Sequence, residues 1–169
     1  AVQPSFASSK ALVVGIKDYS YWSRLQNSRN DAEDMANTLN SMGFETTLVI
    51  RDSQGEVDSQ RLNDAIKQFA NRLQANDNVI FFYSGHGAAI PNDNSSTDGY
   101  LIPSNTPSVN RNNKQAILEK MAWAWRQTSS HAGVTAHEQA QTKTQDKTPI
   151  RSHLHTCFSS CIRICMLYS

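Results

Sequence analysis

The first hundred residues alternate between two textures. Short apolar runs stand at 10–16 (KALVVGI) and 79–83 (VIFFY) and predict strands buried on both faces, as inside a parallel sheet. Residues 44–50, rich in β-branched residues and directly after Gly43, read as another strand. Between them, apolar residues recur at helical spacing: Ala32, Met35, Ala36, Leu39 and Met42, then Leu62, Ala65, Ile66, Phe69, Ala70 and Leu73. Each set makes one stripe of a helix. Asn30 reads as the N-cap of the first helix, with Asp31, Glu33 and Asp34 in the turn where the dipole favours negative charge, and Gly43 as its C-terminal stop. Asp58 or Ser59 caps the second, which runs to about Gln74. Strand, helix, strand, helix, strand implies right-handed crossovers. The predicted fold is α/β: a parallel-rich sheet flanked by helices in three layers, α/β/α.

The third strand runs into Gly85-His86-Gly87. Glycine accepts backbone angles that other residues resist and leaves room for another chain segment. A histidine on a turn at the carboxyl end of a central strand stands where open α/β sheets place their active sites. The plainer role for such a residue is to satisfy a hydrogen bond at a strand end. The glycine bracket and the buried strand before it favour function.

Elsewhere the pattern is less regular. Residues 17–28 are rich in Tyr, Ser, Asn and Trp without a period and read as a loop. Residues 88–97 are Gly/Asn/Asp/Ser-like and read as a mobile loop, a plausible substrate lip. Past Thr106 the texture changes: 110–125 has helical spacing, and 126–148 is polar and aperiodic, a long loop or disordered segment. The chain therefore divides into an extension at 1–9, a core at 10–105 and a divergent or poorly ordered segment at 106–169.

Composition narrows the function. A net charge of +1 over 169 residues gives no electrostatic case for nucleic acid or acidic membranes. No apolar stretch approaches the roughly 18 residues of a membrane span, and no signal-peptide pattern is expected. The three cysteines, Cys157, Cys161 and Cys165, crowd one short stretch and make a poor disulfide framework. Localisation and oligomeric state stay open.

Five motifs carry a resemblance. ALVVGI, Leu25-x-Asn27-x-x-Asn30-Asp31-Ala32, Leu39-x-x-Met42-Gly43-Phe44, Phe82-Tyr83-Ser84-Gly85-His86-Gly87 and Gly99-Tyr100-Leu101-Ile102-Pro103 follow one another in that order. Together they resemble the caspase-like cysteine peptidases, in particular the metacaspases and their bacterial relatives, over about residues 10–105. The resemblance implies a cysteine endopeptidase acting on peptide or protein substrates through a Cys–His dyad, with no cofactor. His86 would be the catalytic base and the Gly87 N–H an oxyanion donor. Asp31 would help line an acidic pocket for a basic P1 side chain, with Ser84 beside it. First-turn helix charge accounts for Asp31 equally well.

The nucleophile departs from the family pattern. The usual interval from histidine to cysteine is around 50 residues, whereas Cys157 follows His86 by 71. Its setting, His155-Thr156-Cys157-Phe158-Ser159-Ser160, lacks the expected aspartate and glycine, and 149–154 is not the apolar strand that should present a thiol. Residues 106–169 read either as a divergent insertion or as a truncation followed by sequence that no fold selected. Cys157 is the candidate nucleophile. Packing of the three cysteines on one helix face and zinc binding by His153, His155, Cys157 and Cys161 are the alternatives. No metal site is predicted; Asp93 and Asp98 are too few for calcium. At the level of function, the alternative is a catalytically inactive caspase-like module that binds or regulates. A Ser84–His86 hydrolase ranks last.

Overall fold

The computed structural model describes residues 8–91, 97–108, 112, 124–127, 134–136, 152–156 and 161–168, with side chains over 8–88, 100–108 and 112. The elements are β1 (Ser9–Gly15), α1 (Ser28–Ser41), β2 (Glu45–Val49), α2 (Ser59–Asn71), β3 (Asn78–Pro91), β4 (Thr97–Leu101), β5 (Ala124–Gln127), β6 (Val134–Ala136), β7 (Ser152–Thr156) and β8 (Cys161–Tyr168).

Three parallel strands form the heart of the sheet. β1 lies between β2, from Lys10↔Glu45 to Val14↔Val49, and β3, from Ser9↔Asn78 to Gly15↔Ser84. The chain moves from β1 to β2 on one side, then crosses back over β1 to reach β3. Two right-handed crossovers of opposite direction place their helices on opposite faces. The core obeys this. Ala11 and Val13 of β1 pack with Ala32, Ala36 and Leu39 of α1. The alternate residues, Leu12 and Val14, pack with Leu62, Ile66 and Phe69 of α2. Burial on both faces is why β1 and the first half of β3 carry apolar runs.

Outside that trio the ladders are antiparallel. β4 pairs with β3 from Gly87↔Leu101 to Pro91↔Thr97, and β8 pairs with it from Val79↔Tyr168 to His86↔Cys161. β5 and β6 extend from β4, and β7 pairs with β8. The three-layer α/β architecture is as expected, and its sheet is mixed.

Two local devices lock the frame. Gly15 lets α1 come close: a Cβ there would stand 2.6 Å from the Ala32 Cβ and 2.7 Å from the Ser28 carbonyl oxygen. Asp77, buried at the turn into β3, accepts hydrogen bonds from the Lys10 ammonium (2.7 Å), the Gln74 N–H (2.8 Å) and the Ser8 hydroxyl (2.8 Å). These donors, Lys10 first, hold its carboxyl down from 3.8 to about 2.

Several sequence expectations are corrected. α1 begins at Ser28 with Asn27 as N-cap, not Asn30, and without a side-chain cap bond. Met42 leaves the predicted stripe and is 65% exposed. Asp58 does cap α2, accepting from the Arg61 N–H at 2.8 Å. Gly-His-Gly is no turn: β3 continues through it to Pro91, because β4 supplies a new partner where β1 ends. The expected lip at 88–97 is therefore strand at 88–91 and at Thr97, and 92–96 lie outside the described residues. Trp125 sits on β5 rather than a helix, and 126–127 and 134–136 are strand rather than loop. Residues 152–154, read as not the apolar strand that would present a thiol, belong to β7, SHLHT. Cys161 and Cys165 lie on β8, so the shared helix face does not hold for them. Cys157, and with it the complete zinc reading, falls outside the described residues.

Candidate active site

Alternation along β3 builds the site. Ile80, Phe82, Ser84 and His86 occupy one face of the strand. Ile80 and Phe82 belong to the apolar cluster under α1. Toward the rim the same face turns polar with Ser84 and His86, both buried. β1 sends the chain to β2 on one side and receives β3 on the other, so this rim is the sheet's topological switch point, where α/β folds bind ligands.

Residues 17–27, between β1 and α1, wrap the histidine. The Ser23 carbonyl oxygen lies 2.7 Å from His86 Nε2. A carbonyl can only accept, so Nε2 carries the proton and, in the neutral ring, Nδ1 holds the lone pair. The Tyr19 ring meets the imidazole edge-on at 4.6 Å between centroids, and Trp22 lies tilted at 5.5 Å. The Tyr19 hydroxyl accepts the His86 backbone N–H at 2.8 Å. The His86 carbonyl accepts from the Ile102 N–H (3.0 Å), and the Tyr83 hydroxyl lies 2.9 Å from it. Ring and backbone are both held, and the residue is 1% exposed. Gly85 makes room for this: a Cβ there would stand 2.5 Å from the Tyr83 hydroxyl and 2.7 Å from that of Tyr19.

The wrapping loop is itself strapped down. The Ser20 N–H donates to the Ser104 carbonyl (2.9 Å), and the Trp22 indole N–H to that of Thr106 (2.9 Å). The 102–106 segment reaches on to α2, with the Ser104 N–H on the Val57 carbonyl (2.9 Å) and the Asn105 side chain accepting the Ser59 N–H (3.0 Å).

Of the residues singled out in sequence, the fold brings together Asp31 and Ser84: the Ser84 hydroxyl donates to Asp31 Oδ2 at 3.2 Å. That single proton goes to the carboxylate, which disfavours a Ser84–His86 hydrolase. Gly87 follows His86 on β3. Cys157 is outside the described residues. Sequence reading missed Tyr19, Trp22 and Ser23. The available signal was the crowding of Tyr19, Tyr21 and Trp22 into one aperiodic stretch. Among the described residues no cluster of three His, Cys, Asp or Glu side chains could hold a metal ion, and no helix is long and apolar enough to cross a membrane.

Comparison with known proteins places this geometry. The sequence profile described as "Caspase domain" matches residues 8–166. Metacaspase-1A of Aspergillus niger is 33% identical over 99 residues, 54% of this chain and 24% of its own length. Metacaspase-1 of Emericella nidulans is 32% identical over 99 residues, with the same coverage of 54% and 24%. Metacaspase-1A of Aspergillus terreus is 32% identical over 99 residues, covering 54% and 25%. The chain thus spans about a quarter of the length of these curated relatives. A histidine at the switch point of this α/β sheet and a profile matching nearly the whole chain lead to one conclusion: the chain belongs to the caspase-domain peptidase family.

Proposed function

We propose that this chain carries the histidine half of a cysteine endopeptidase, with His86 as general base and acid in a Cys–His dyad. The observation that carries the reading is the Ser23 carbonyl on His86 Nε2. The Nε2–H tautomer puts the ring's basic lone pair on Nδ1, the form a general base needs. The thiol comes from the C-terminal cysteines, Cys157 being the candidate read from sequence. Its thiolate attacks the scissile carbonyl, the Gly87 N–H helps to hold the oxyanion, and the imidazolium returns its proton to the leaving amine.

Asp31 supports a preference for basic P1 side chains. It is a half-buried carboxylate near the rim, and the Ser84 hydroxyl orients it. A guanidinium or ammonium arriving there would meet a fixed acceptor.

Fluorogenic peptides with Arg, Lys or Asp at P1, offered to the full chain, test both parts. Cleavage after Arg and Lys is the expected result. Cleavage after Asp alone overturns the specificity. No cleavage by a chain that circular dichroism shows to be folded favours the inactive binding module.

A further inference from the structure

We propose that Cys161, rather than Cys157, supplies the thiol that works with His86. This rests on the preceding reading and sharpens it. The argument is one of register. Along β3, the Ser84 carbonyl accepts from the Ile16 N–H, the His86 N–H donates to Tyr19, and the His86 carbonyl accepts from Ile102. The backbone groups of the even-numbered residues therefore face the β1 and β4 edge, and those of the odd-numbered residues face the β8 edge.

Two consequences follow. On the β8 side, His86 opposite Cys161 is a non-hydrogen-bonded pair. Residues paired in that way share a sheet face and have Cα atoms about 4.5 Å apart, the closer of the two antiparallel spacings. The Gly87 N–H, at an odd position, faces the same edge. Base and thiol-bearing residue thus stand opposite each other along one edge.

Position along the ladder selects among the cysteines. Among the described residues, His86↔Cys161 is the pair of this ladder nearest the rim. Cys165 pairs with Phe82, four residues further along β3 from the rim. Cys157 precedes β8 by four residues.

The chemistry closes without an added reagent. The Cys161 S–H proton passes to His86 Nδ1, and the sulfur pair forms a C–S bond as the carbonyl π pair moves onto oxygen. Collapse breaks the C–N bond, and the amine leaves with the imidazolium proton. Water then hydrolyses the thioester, releasing the acid and restoring the thiol.

The test treats the full chain with a peptidyl chloromethyl ketone bearing Arg at P1 and maps the adduct by tandem mass spectrometry. An adduct on Cys161 is expected. C161S should lose both adduct and hydrolysis while C157S and C165S keep them. An adduct on Cys157 or Cys165 overturns the assignment and leaves the peptidase reading standing. No adduct on any cysteine of a folded chain overturns both. Iodoacetamide gives a readout that needs no variant at the cysteine. Cys161 should alkylate at least about fivefold faster than the other two, as a base-paired thiol does, and H86A should erase that lead. Equal rates in the wild-type chain overturn the assignment.

Discussion

Along one edge, β3 gives its backbone to β1 and β4, and residues 17–27 close over His86 from that side with a carbonyl, a phenol and an indole. Along the other it meets β8, through a ladder whose described pairs run from Val79 to His86. The first edge is built from segments on both sides of His86 in sequence, Tyr19 and Ser23 lying 67 and 63 residues before it. The second is closed by a strand that begins 75 residues after the histidine. The difference separates two requirements of the proposed general base: the 17–27 loop sets the ring's orientation from one side, and the proposed thiol comes from β8 on the other.

Breaking the second edge should have the largest effect on chemistry. H86A is expected to lower kcat on an Arg-P1 peptide by about 10²–10⁴-fold, the usual contribution of a general acid–base. A similar loss in binding without loss in kcat would mean that His86 only shapes the pocket.

Y19F tests the first edge. It removes the acceptor of a buried backbone N–H, a loss of about 1–3 kcal/mol. Both the melting temperature and kcat should fall, measured by calorimetry and initial rates. A fall in stability with kcat intact would uncouple the wrapping loop from catalysis.

A smaller, selective effect is expected from D31N. Losing one charge-assisted contact should cut kcat/KM for Arg-P1 peptides by roughly tenfold and leave neutral P1 peptides unaffected. Equal losses for both would return Asp31 to the role of helix-turn charge.

The smallest effect concerns the frame far from the rim. Asp77 titrates at about 2 in the folded chain, below its ordinary 3.8. A depressed carboxylate stabilises the fold above its unfolded value, and that contribution fades as pH falls from about 4 toward 2. The melting temperature should drop across that window. D77N should start lower and show a flatter acid limb.

What the sequence revealed was local. Apolar runs and helical stripes placed β1, α1, β2, α2 and the first half of β3, because burial on two faces or one stripe writes itself into consecutive residues. His86 was legible for the same reason, as the residue that ends such a run. The rest depended on partners far along the chain. Gly85 and Gly87 looked like a turn, but they keep β3 extended while β4 takes over from β1. The start of α1 moved to Ser28, since Asn27 stands at the cap without a side-chain bond for composition to betray. Ser23 acts through a carbonyl, which every residue possesses, so no side-chain pattern could announce it. β5 to β8 arise from polar or cysteine-rich text with no alternation strong enough to read.

The 102–106 segment is bonded at once to the loop over His86, to the approach to α2 and to the first residue of that helix. A single cut in the connection between β3 and β4 would therefore sever the polypeptide without parting the walls of the site. Two fragments so made would stay clasped around the same imidazole, and nicking need not mean inactivation.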